Sequence, residues 1–135
     1  LYIACQEGHV DAAKLLLEKG VEVNRAERNG ATPLFIACQQ GHATVAGLLI
    51  EHKASIVKAM NDGTTPLWIA CQKGHAAMAG LLIDAEFPDR SGWARYINHS
   101  RGPKRNCELL ALEGGLSFSY SLFGQARRVV KLTVA

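Results

Sequence analysis

No stretch of the sequence is apolar for long enough to cross a membrane. The longest uninterrupted apolar run, from Ala76 to Ile83, is far shorter than the roughly 18 residues that a spanning helix needs. The N-terminus also lacks a basic segment leading into an apolar one, which is the pattern of a secretory leader. We therefore expect neither a membrane protein nor a visibly secreted one.

The sequence also lacks a large excess of positive or negative charge. The chain carries 15 Lys and Arg against 12 Asp and Glu, a net charge of +3, which is too small to indicate a polyanionic partner. The distribution is uneven, since residues 1–84 carry a net −1 and residues 85–135 a net +4. Nucleic-acid binding is an alternative for the second segment, but it is disfavoured because no recognisable motif or phosphate loop accompanies the basic residues Arg101, Lys104, Arg105, Arg127, Arg128 and Lys131.

A length of 135 residues fits one ordinary domain or one array of small repeats. A shift by 33 residues superposes three Ile-Ala-Cys-Gln segments, and Gly-His and Leu-Leu pairs follow each of them in step, the segments being 3–6, 36–39 and 69–72. Chance does not keep one register three times. Because the sequence starts inside a repeat, we expect it to be a piece of a longer product.

Each repeat begins as a turn that leads into a capped helix. Asn29-Gly30 favours a tight turn, Thr32 can cap a helix and Pro33 can begin it. The first helix is predicted over about residues 33–40, where Gly41 interrupts it. The same pattern recurs one period later.

The second helix of each repeat carries apolar residues at one-face spacing, such as Val45, Leu48 and Leu49. We expect Leu48 and its equivalent Leu81 to be buried. Helices this short are marginal in isolation because nucleation is costly, so their apolar faces must pack against neighbouring repeats. The predicted architecture is a stacked solenoid.

The segment 30–42, Gly-Ala-Thr-Pro-Leu-Phe-Ile-Ala-Cys-Gln-Gln-Gly-His, resembles the ankyrin repeat, as does the segment 63–75. The resemblance covers residues 1–83 and implies a mainly α solenoid of about three helix-turn-helix repeats, the first incomplete. Two positions depart from the family. Tyr2, Phe35 and Trp68 stand where histidine is common, and Lys53 and Glu86 stand where the family has a helix-end glycine that Gly20 retains.

The resemblance also implies a function, because ankyrin arrays recognise other proteins through turn tips and first-helix residues on a concave face. The alternative is that these positions are merely solvated. Mapped onto this chain, the candidate partner-binding residues are Asn29, Gln39, Gln40, Asn61, Asp62, Gln72 and Lys73.

Three of the four cysteines, Cys5, Cys38 and Cys71, occupy equivalent helix positions. Neighbouring equivalents should lie about 8–10 Å apart, beyond the ~7 Å Cα limit for a disulfide. We therefore predict reduced core thiols and an intracellular protein, cytoplasmic or nuclear.

Each of these cysteines has a histidine four residues later, as in Cys38 and His42, which could suggest zinc. A glycine lies between the partners and no repeat supplies four ligands, so we predict no metal site. A Cys-His nucleophile would need a base oriented by a third group. A pattern repeated three times is better explained as a structural signature.

From Ile83 onward the 33-residue period fails, and a second segment, residues 84–135, begins. The stretches 83–85, 91–100 and 106–109 resemble the C-terminal half of SET-domain protein lysine methyltransferases. The resemblance implies a small, partial, β-rich SET-like segment after the solenoid.

Carried over by position, Asn98 and His99 match the pair that contacts S-adenosylmethionine in that family, and Arg95 and Tyr96 match residues that frame the same pocket. An amide suits such a cleft because adenine edges and the methionine portion need hydrogen-bond partners. A histidine on its own would be better explained as a packed or surface residue, so the neighbours of His99 carry this prediction.

The departures from the SET pattern argue against activity. Arg101 stands where members with a zinc-dependent tail have cysteine, the upstream half with its glycine-rich cofactor loop is absent, and the sequence ends at Ala135, where the catalytic tyrosine would follow. Half a domain cannot align and shield a lysine amine. We predict weak or absent cofactor binding and no catalytic residue in this chain. The alternative is an S-adenosylmethionine-dependent protein (histone) lysine methyltransferase in the full-length parent.

Overall fold

A computed structural model describes residues 1–86, 105–112, 115–122 and 128–132. The first of these ranges folds into three helix pairs, which we call units one, two and three. Their helices are α1 Tyr2–Gln6 and α2 Val10–Glu18 in unit one, α3 Pro33–Gln40 and α4 Ala43–Glu51 in unit two, and α5 Pro66–Lys73 and α6 Ala76–Glu86 in unit three.

The Thr-Pro dipeptides start the first helices of units two and three, as the sequence predicts. Thr32 Oγ1 accepts a hydrogen bond from the Phe35 N–H at 3.1 Å, and Pro33 occupies the first helical turn, where its missing N–H is not needed. Thr65 caps α5 in the same way, accepting from the Trp68 N–H at 3.2 Å. In both helices, the threonine hydroxyl therefore accepts from a first-turn N–H that has no acceptor within the helix.

The helices form two layers. The first helices pack side by side in the order α1, α3, α5, and the second helices α2, α4, α6 form a parallel row that covers them. Small residues lie where the layers meet, including Cys38 and Ala46, both without exposed surface. This two-layer stack is the predicted solenoid.

The burial of the leucine pairs differs from the prediction. Leu49 has no exposed surface and Leu82 is buried, whereas Leu48 and Leu81 are only half-buried. Leu49 lies one turn after the buried Val45, so these two side chains point into the core, and Leu48 lies on the flank of the same helix. The expectation that Leu48 and Leu81 are buried was wrong. The buried leucine is the next residue in each helix.

The turn that follows α4 places a lysine in a conformation that usually requires glycine. The Lys53 N–H donates to the Ile50 carbonyl and the Ala54 N–H to the Leu49 carbonyl, both at 2.9 Å, and Lys53 has φ of 66°. This pair of bonds is a Schellman turn, in which a side chain on the left-handed residue is strained. The equivalent turn after α2 has Gly20, with φ of 80°.

We expect Lys53→Gly to raise the free energy of unfolding by about 0.5–1 kcal/mol, because relief of left-handed strain outweighs the added backbone entropy of glycine. Urea titration measures the change. Gly20→Lys is the matched reverse substitution and should lower stability. In the part of the chain that the structure describes, a Cβ at Gly20 meets no atom within 4 Å. A destabilised Lys53→Gly variant would contradict the assignment of strain.

The remaining described ranges form an antiparallel sheet with the order β1-β2-β3. Leu109 pairs with Phe118 and Phe118 with Val130 in the register of the three strands, which are β1 Arg105–Leu112, β2 Gly115–Leu122 and β3 Arg128–Leu132. A three-stranded meander is common to many folds, so the SET-like identity of residues 84–135 and the boundary at residue 83 stay predictions. The predicted cofactor residues at 95–99 lie outside the described residues.

Within the part of the chain that the structure describes, no helix is both long and apolar enough to span a membrane.

Candidate protein-binding surface

The turns that precede units two and three have the same hydrogen-bonded form. In tip one, residues 27–31, the Glu27 N–H donates to the Ala31 carbonyl at 2.9 Å, and Asn29 Oδ1 accepts from the Ala31 N–H at 3.0 Å. In tip two, residues 60–64, the corresponding bonds run from Met60 to Thr64 and from the Thr64 N–H to Asp62 Oδ1. Both tips are therefore closed turns, as the Asn-Gly and Asp-Gly dipeptides predict.

The two tips are also bonded to each other. The Asn61 N–H donates to the Asn29 carbonyl at 3.0 Å, and Asn61 Nδ2 donates to the Arg28 carbonyl at 2.9 Å. Gly30 lies against this contact, since a Cβ there would come within 2.6 Å of Asn61 Oδ1. The tips consequently form one continuous edge along the stack.

The predicted partner-binding residues divide between the tips and the ends of the first helices. All are exposed except Gln39, which is half-buried. Asn29, Asn61 and Asp62 also hold the tips in shape through their side chains. The remaining candidates lie at the ends of the first helices, outside the tips. They are Gln39, Gln40, Gln72 and Lys73.

Two exposed charged residues on the same elements were missed by the sequence reasoning. Glu7 is the 33-residue equivalent of Gln40 and Lys73, and Arg28 is the equivalent of Asn61. The register that identified the other candidates also identifies these two. With Glu7 included, one exposed row changes from negative through neutral to positive across the three units.

The repeated Gly-His pairs join each unit to the one before it. His42 Nε2 lies 3.0 Å from the Gln6 carbonyl oxygen, and His75 Nε2 lies 3.2 Å from the Gln39 carbonyl oxygen. A carbonyl oxygen only accepts, so Nε2 carries the proton in both contacts. A glycine of the preceding unit makes room for each ring. A Cβ at Gly41, for example, would lie 2.7 Å from His75 Cε1.

These contacts explain the Cys-x3-His spacing without a metal. His42 and His75 bond to the carbonyl oxygen of the preceding unit, while the cysteines are buried. Among the described residues, no three His, Cys, Asp or Glu side chains are grouped closely enough to hold a metal ion.

The three repeat cysteines are buried, and those of units one and two, Cys5 and Cys38, are free thiols. Burial raises the pKa of Cys38 to about 12 and the pKa of Cys5 to about 11. A thiol held protonated is a poor nucleophile at neutral pH. The arrangement therefore supports the structural interpretation of these cysteines.

The raised pKa of Cys38 predicts a loss of stability in alkali. A group whose pKa is higher in the folded state stabilises the fold fully below its unfolded pKa and loses this contribution as pH rises towards the folded value. With a folded pKa of about 12 and an ordinary value of 9.0, we expect the stability gap between the wild type and Cys38→Ala to narrow by about 1.4 kcal/mol per pH unit above pH 9. Chemical denaturation at pH 7 and pH 10 measures this, with Val45→Ala as the control whose gap stays constant.

The aromatic residues that replace the family's common histidine belong to the core. Phe35 and Trp68 are buried and Tyr2 is half-buried. Burial raises the pKa of Tyr2, and the negative charge of Glu27 in tip one adds to the increase. These departures therefore change the packing behind the candidate surface while the exposed row stays polar.

A model of the ankyrin-repeat family, with three copies of the repeat, matches residues 1–91. No curated protein matches the chain. The match covers more than half of the sequence and agrees with the stacked helix pairs, the capped first helices and the linked tips. The chain belongs to the ankyrin-repeat family.

Proposed function

We propose that this chain is a protein-protein interaction module, and that its partner binds the edge formed by the two tips and the exposed ends of the first helices. Ankyrin repeats are protein-binding modules in general. The observation that carries the proposal for this surface is the pair of bonds from Asn61 to tip one. They fix the exposed polar groups in one arrangement before a partner arrives.

A fixed arrangement matters for affinity because association otherwise costs about 0.5–1.5 kcal/mol for each flexible side chain that it immobilises. Asn29, Asn61 and Asp62 are already held by hydrogen bonds. A partner that meets them loses less entropy than it would on an open loop. The tips therefore act as a preformed recognition edge.

The charges of the exposed row indicate what the partner presents. Glu7 at unit one, Gln40 at unit two and Lys73 at unit three are exposed and occupy equivalent positions. Steps between packed helices are about 8–10 Å, so the row spans two such steps. The complementary partner carries a basic group towards unit one and an acidic group towards unit three.

Site-specific photocrosslinking tests the proposed surface. A crosslinking residue placed at Gln40 or at Lys73 should capture the same protein in cells. The paired substitution Glu7→Lys and Lys73→Glu should abolish the capture from Gln40. Glu18, exposed at the end of α2, is the control position. Equal capture of that protein from Glu18 would contradict binding at the tips and first helices.

We also propose an intracellular location, cytoplasmic or nuclear. The buried free thiols of Cys5 and Cys38 support this, because reducing compartments keep such cysteines from forming disulfides. Microscopy of the tagged chain, with compartment markers, tests the proposal.

For residues 84–135 we propose a SET-like remnant without methyl transfer. The support is the sequence resemblance that assigns cofactor contacts to Arg95, Tyr96, Asn98 and His99. A pocket with one wall gains only part of the contacts that offset the entropy of association. A histone or other lysine substrate would be methylated only by a parent protein with a complete SET domain.

Calorimetric titration with S-adenosylmethionine and a radiolabelled methyl-transfer assay on lysine substrates test the remnant. Weak or undetectable binding and no turnover are expected. Micromolar binding or measurable turnover would show that this segment builds more of the domain than we propose.

A further inference from the structure

The sequence contains one Asn-Gly dipeptide, Asn29-Gly30, and it lies in tip one, where the Asn29 side chain is exposed to water. Asparagine is among the chemically labile residues. A following glycine makes the loss of its amide easier, because no side chain hinders the approach of the glycine nitrogen to the asparagine side chain. The dipeptide that shapes the tip is therefore also the asparagine position of this chain that is most open to such chemistry.

The folded tip engages both of the groups that would react. The Gly30 N–H donates to the Glu27 carbonyl at 2.8 Å, so the nitrogen that would attack keeps its proton in a hydrogen bond. Asn29 Oδ1 accepts from the Ala31 N–H at 3.0 Å, which fixes the side-chain amide. Ring closure between the two groups therefore requires tip one to open.

Tip two holds tip one closed. The Asn61 N–H donates to the Asn29 carbonyl at 3.0 Å, and Asn61 Nδ2 donates to the Arg28 carbonyl at 2.9 Å. These carbonyls belong to the two peptide groups on either side of the Asn29 side chain. Gly30 also lies against Asn61, since a Cβ at Gly30 would come within 2.8 Å of the Asn61 backbone nitrogen. The docking of tip two thus restricts the backbone motion on which the reaction depends.

We propose that Asn29 is a site of spontaneous deamidation, and that the bonds from tip two set its rate. When tip one opens, the Gly30 backbone nitrogen forms a bond to Asn29 Cγ, its proton passes to Nδ2, and Nδ2 leaves as ammonia. The product is a cyclic imide. Water then adds to one of the two imide carbonyls and opens the ring. One opening gives aspartate, and the other gives isoaspartate, in which the chain continues through the side-chain carbon.

The two products differ in their effect on the tips. Aspartate is compatible with the closed turn, because Asp62 Oδ1 accepts from the Thr64 N–H at 2.8 Å in the equivalent turn of tip two. It adds one negative charge next to Arg28 on the edge formed by the tips. Isoaspartate lengthens the backbone by one carbon and moves the carbonyl of Asn29, the acceptor for the Asn61 N–H, into a carboxylate branch. The bond between the tips then loses its geometry, so this product keeps tip one open.

The rate of deamidation tests the site, and the reaction needs no partner protein, so the result is independent of the proposed binding surface. The full chain is incubated at neutral pH, folded or unfolded in guanidinium chloride, and peptide mass spectrometry follows residue 29 with time. We expect the reaction to be at least about tenfold slower in the folded chain, because only locally opened molecules react. Equal rates in the two states, or no reaction at Asn29 in the unfolded chain, would overturn the proposal.

Asn61→Ala tests the contribution of tip two. It removes the bond from Nδ2 to the Arg28 carbonyl and should raise the rate in the folded chain about two- to tenfold, the change in opening expected from one lost hydrogen bond. Leu48→Ala, at a half-buried position of α4, is the matched control that weakens packing without removing a bond of the tips. It should change the rate less than about twofold, because the reaction follows local opening. A rate unchanged by Asn61→Ala, or raised as much by Leu48→Ala, would show that tip two does not control the reaction.

Hydrogen exchange at the Asn61 N–H tests the difference between the products. The Asn29→Asp variant should exchange within about twofold of the wild type, whereas the isoaspartate form, separated from aged chain, should exchange at least about tenfold faster. Slow exchange in the isoaspartate form would show that the bond between the tips survives the modification, which would overturn the proposed effect on tip one.

Discussion

Leu49→Ala should lower the free energy of unfolding by about 2–5 kcal/mol, the range for deleting a fully buried leucine side chain. Leu49 has no exposed surface and belongs to the apolar cluster shared by the three units. The loss has two parts, the transfer free energy of the missing methyl groups and the cavity that they leave. Unit two lies in the middle of the stack, so a cavity there weakens its packing on both sides.

Two other leucines of the second helices serve as matched controls for Leu49. Leu15→Ala, at a position that is 57% exposed, should cost less than about 1 kcal/mol, since most of its surface is already in water. Leu48→Ala, at a half-buried position, should fall between the two. Urea titration followed by circular dichroism measures all three. Similar losses at positions 15, 48 and 49 would show that the helices do not stack as described.

The difference in burial between these leucines shows what the sequence could and could not predict. The one-face spacing placed a Leu-Leu pair of each second helix at the core. It could not tell which leucine of the pair is buried, because both fit an apolar stripe equally well. The choice depends on how α4 is rotated against α3. That rotation is set by contacts across the unit, which periodicity does not contain.

The first helices were predicted more completely than the second ones. A Thr-Pro dipeptide acts within one helical turn, so Thr32 and Thr65 could be assigned as caps from local chemistry alone. The second helices α2 and α4 start without a side-chain cap, after His9 and His42. The end of α4 depends on the turn at Lys53. Where structure is determined locally, the residue types suffice to predict it.

The candidate surface was predicted by position but not by interaction. The 33-residue register placed Asn29 and Asn61 on the tips, yet the bonds that link one tip to the next join residues about one period apart. The same is true of His42 and Gln6. Such partners become visible only when the units are stacked, and no partner protein is encoded in the register itself.

Gly41→Ala should lower the free energy of unfolding by about 2–4 kcal/mol, because it combines backbone strain with a steric conflict and a weakened hydrogen bond. Gly41 has φ of 81°, and an added Cβ would lie 2.7 Å from His75 Cε1 and 2.8 Å from His75 Nδ1. The ring has to move away, which weakens its bond to the Gln39 carbonyl. Unit three would then be held less tightly on unit two.

Gly74→Ala isolates the backbone part of that loss. Gly74 has φ of 76°, and a Cβ there meets no atom of the described residues within 4 Å, so we expect only the left-handed strain of about 1–2 kcal/mol. The contact with the ring is tested by a double-mutant cycle with His75→Ala. In the His75→Ala background, Gly41→Ala should cost no more than Gly74→Ala, because the ring that opposes the new methyl group is gone. If the cost of Gly41→Ala is unchanged by His75→Ala, the ring does not oppose the new methyl group, and the Gly-His pair does not join the units.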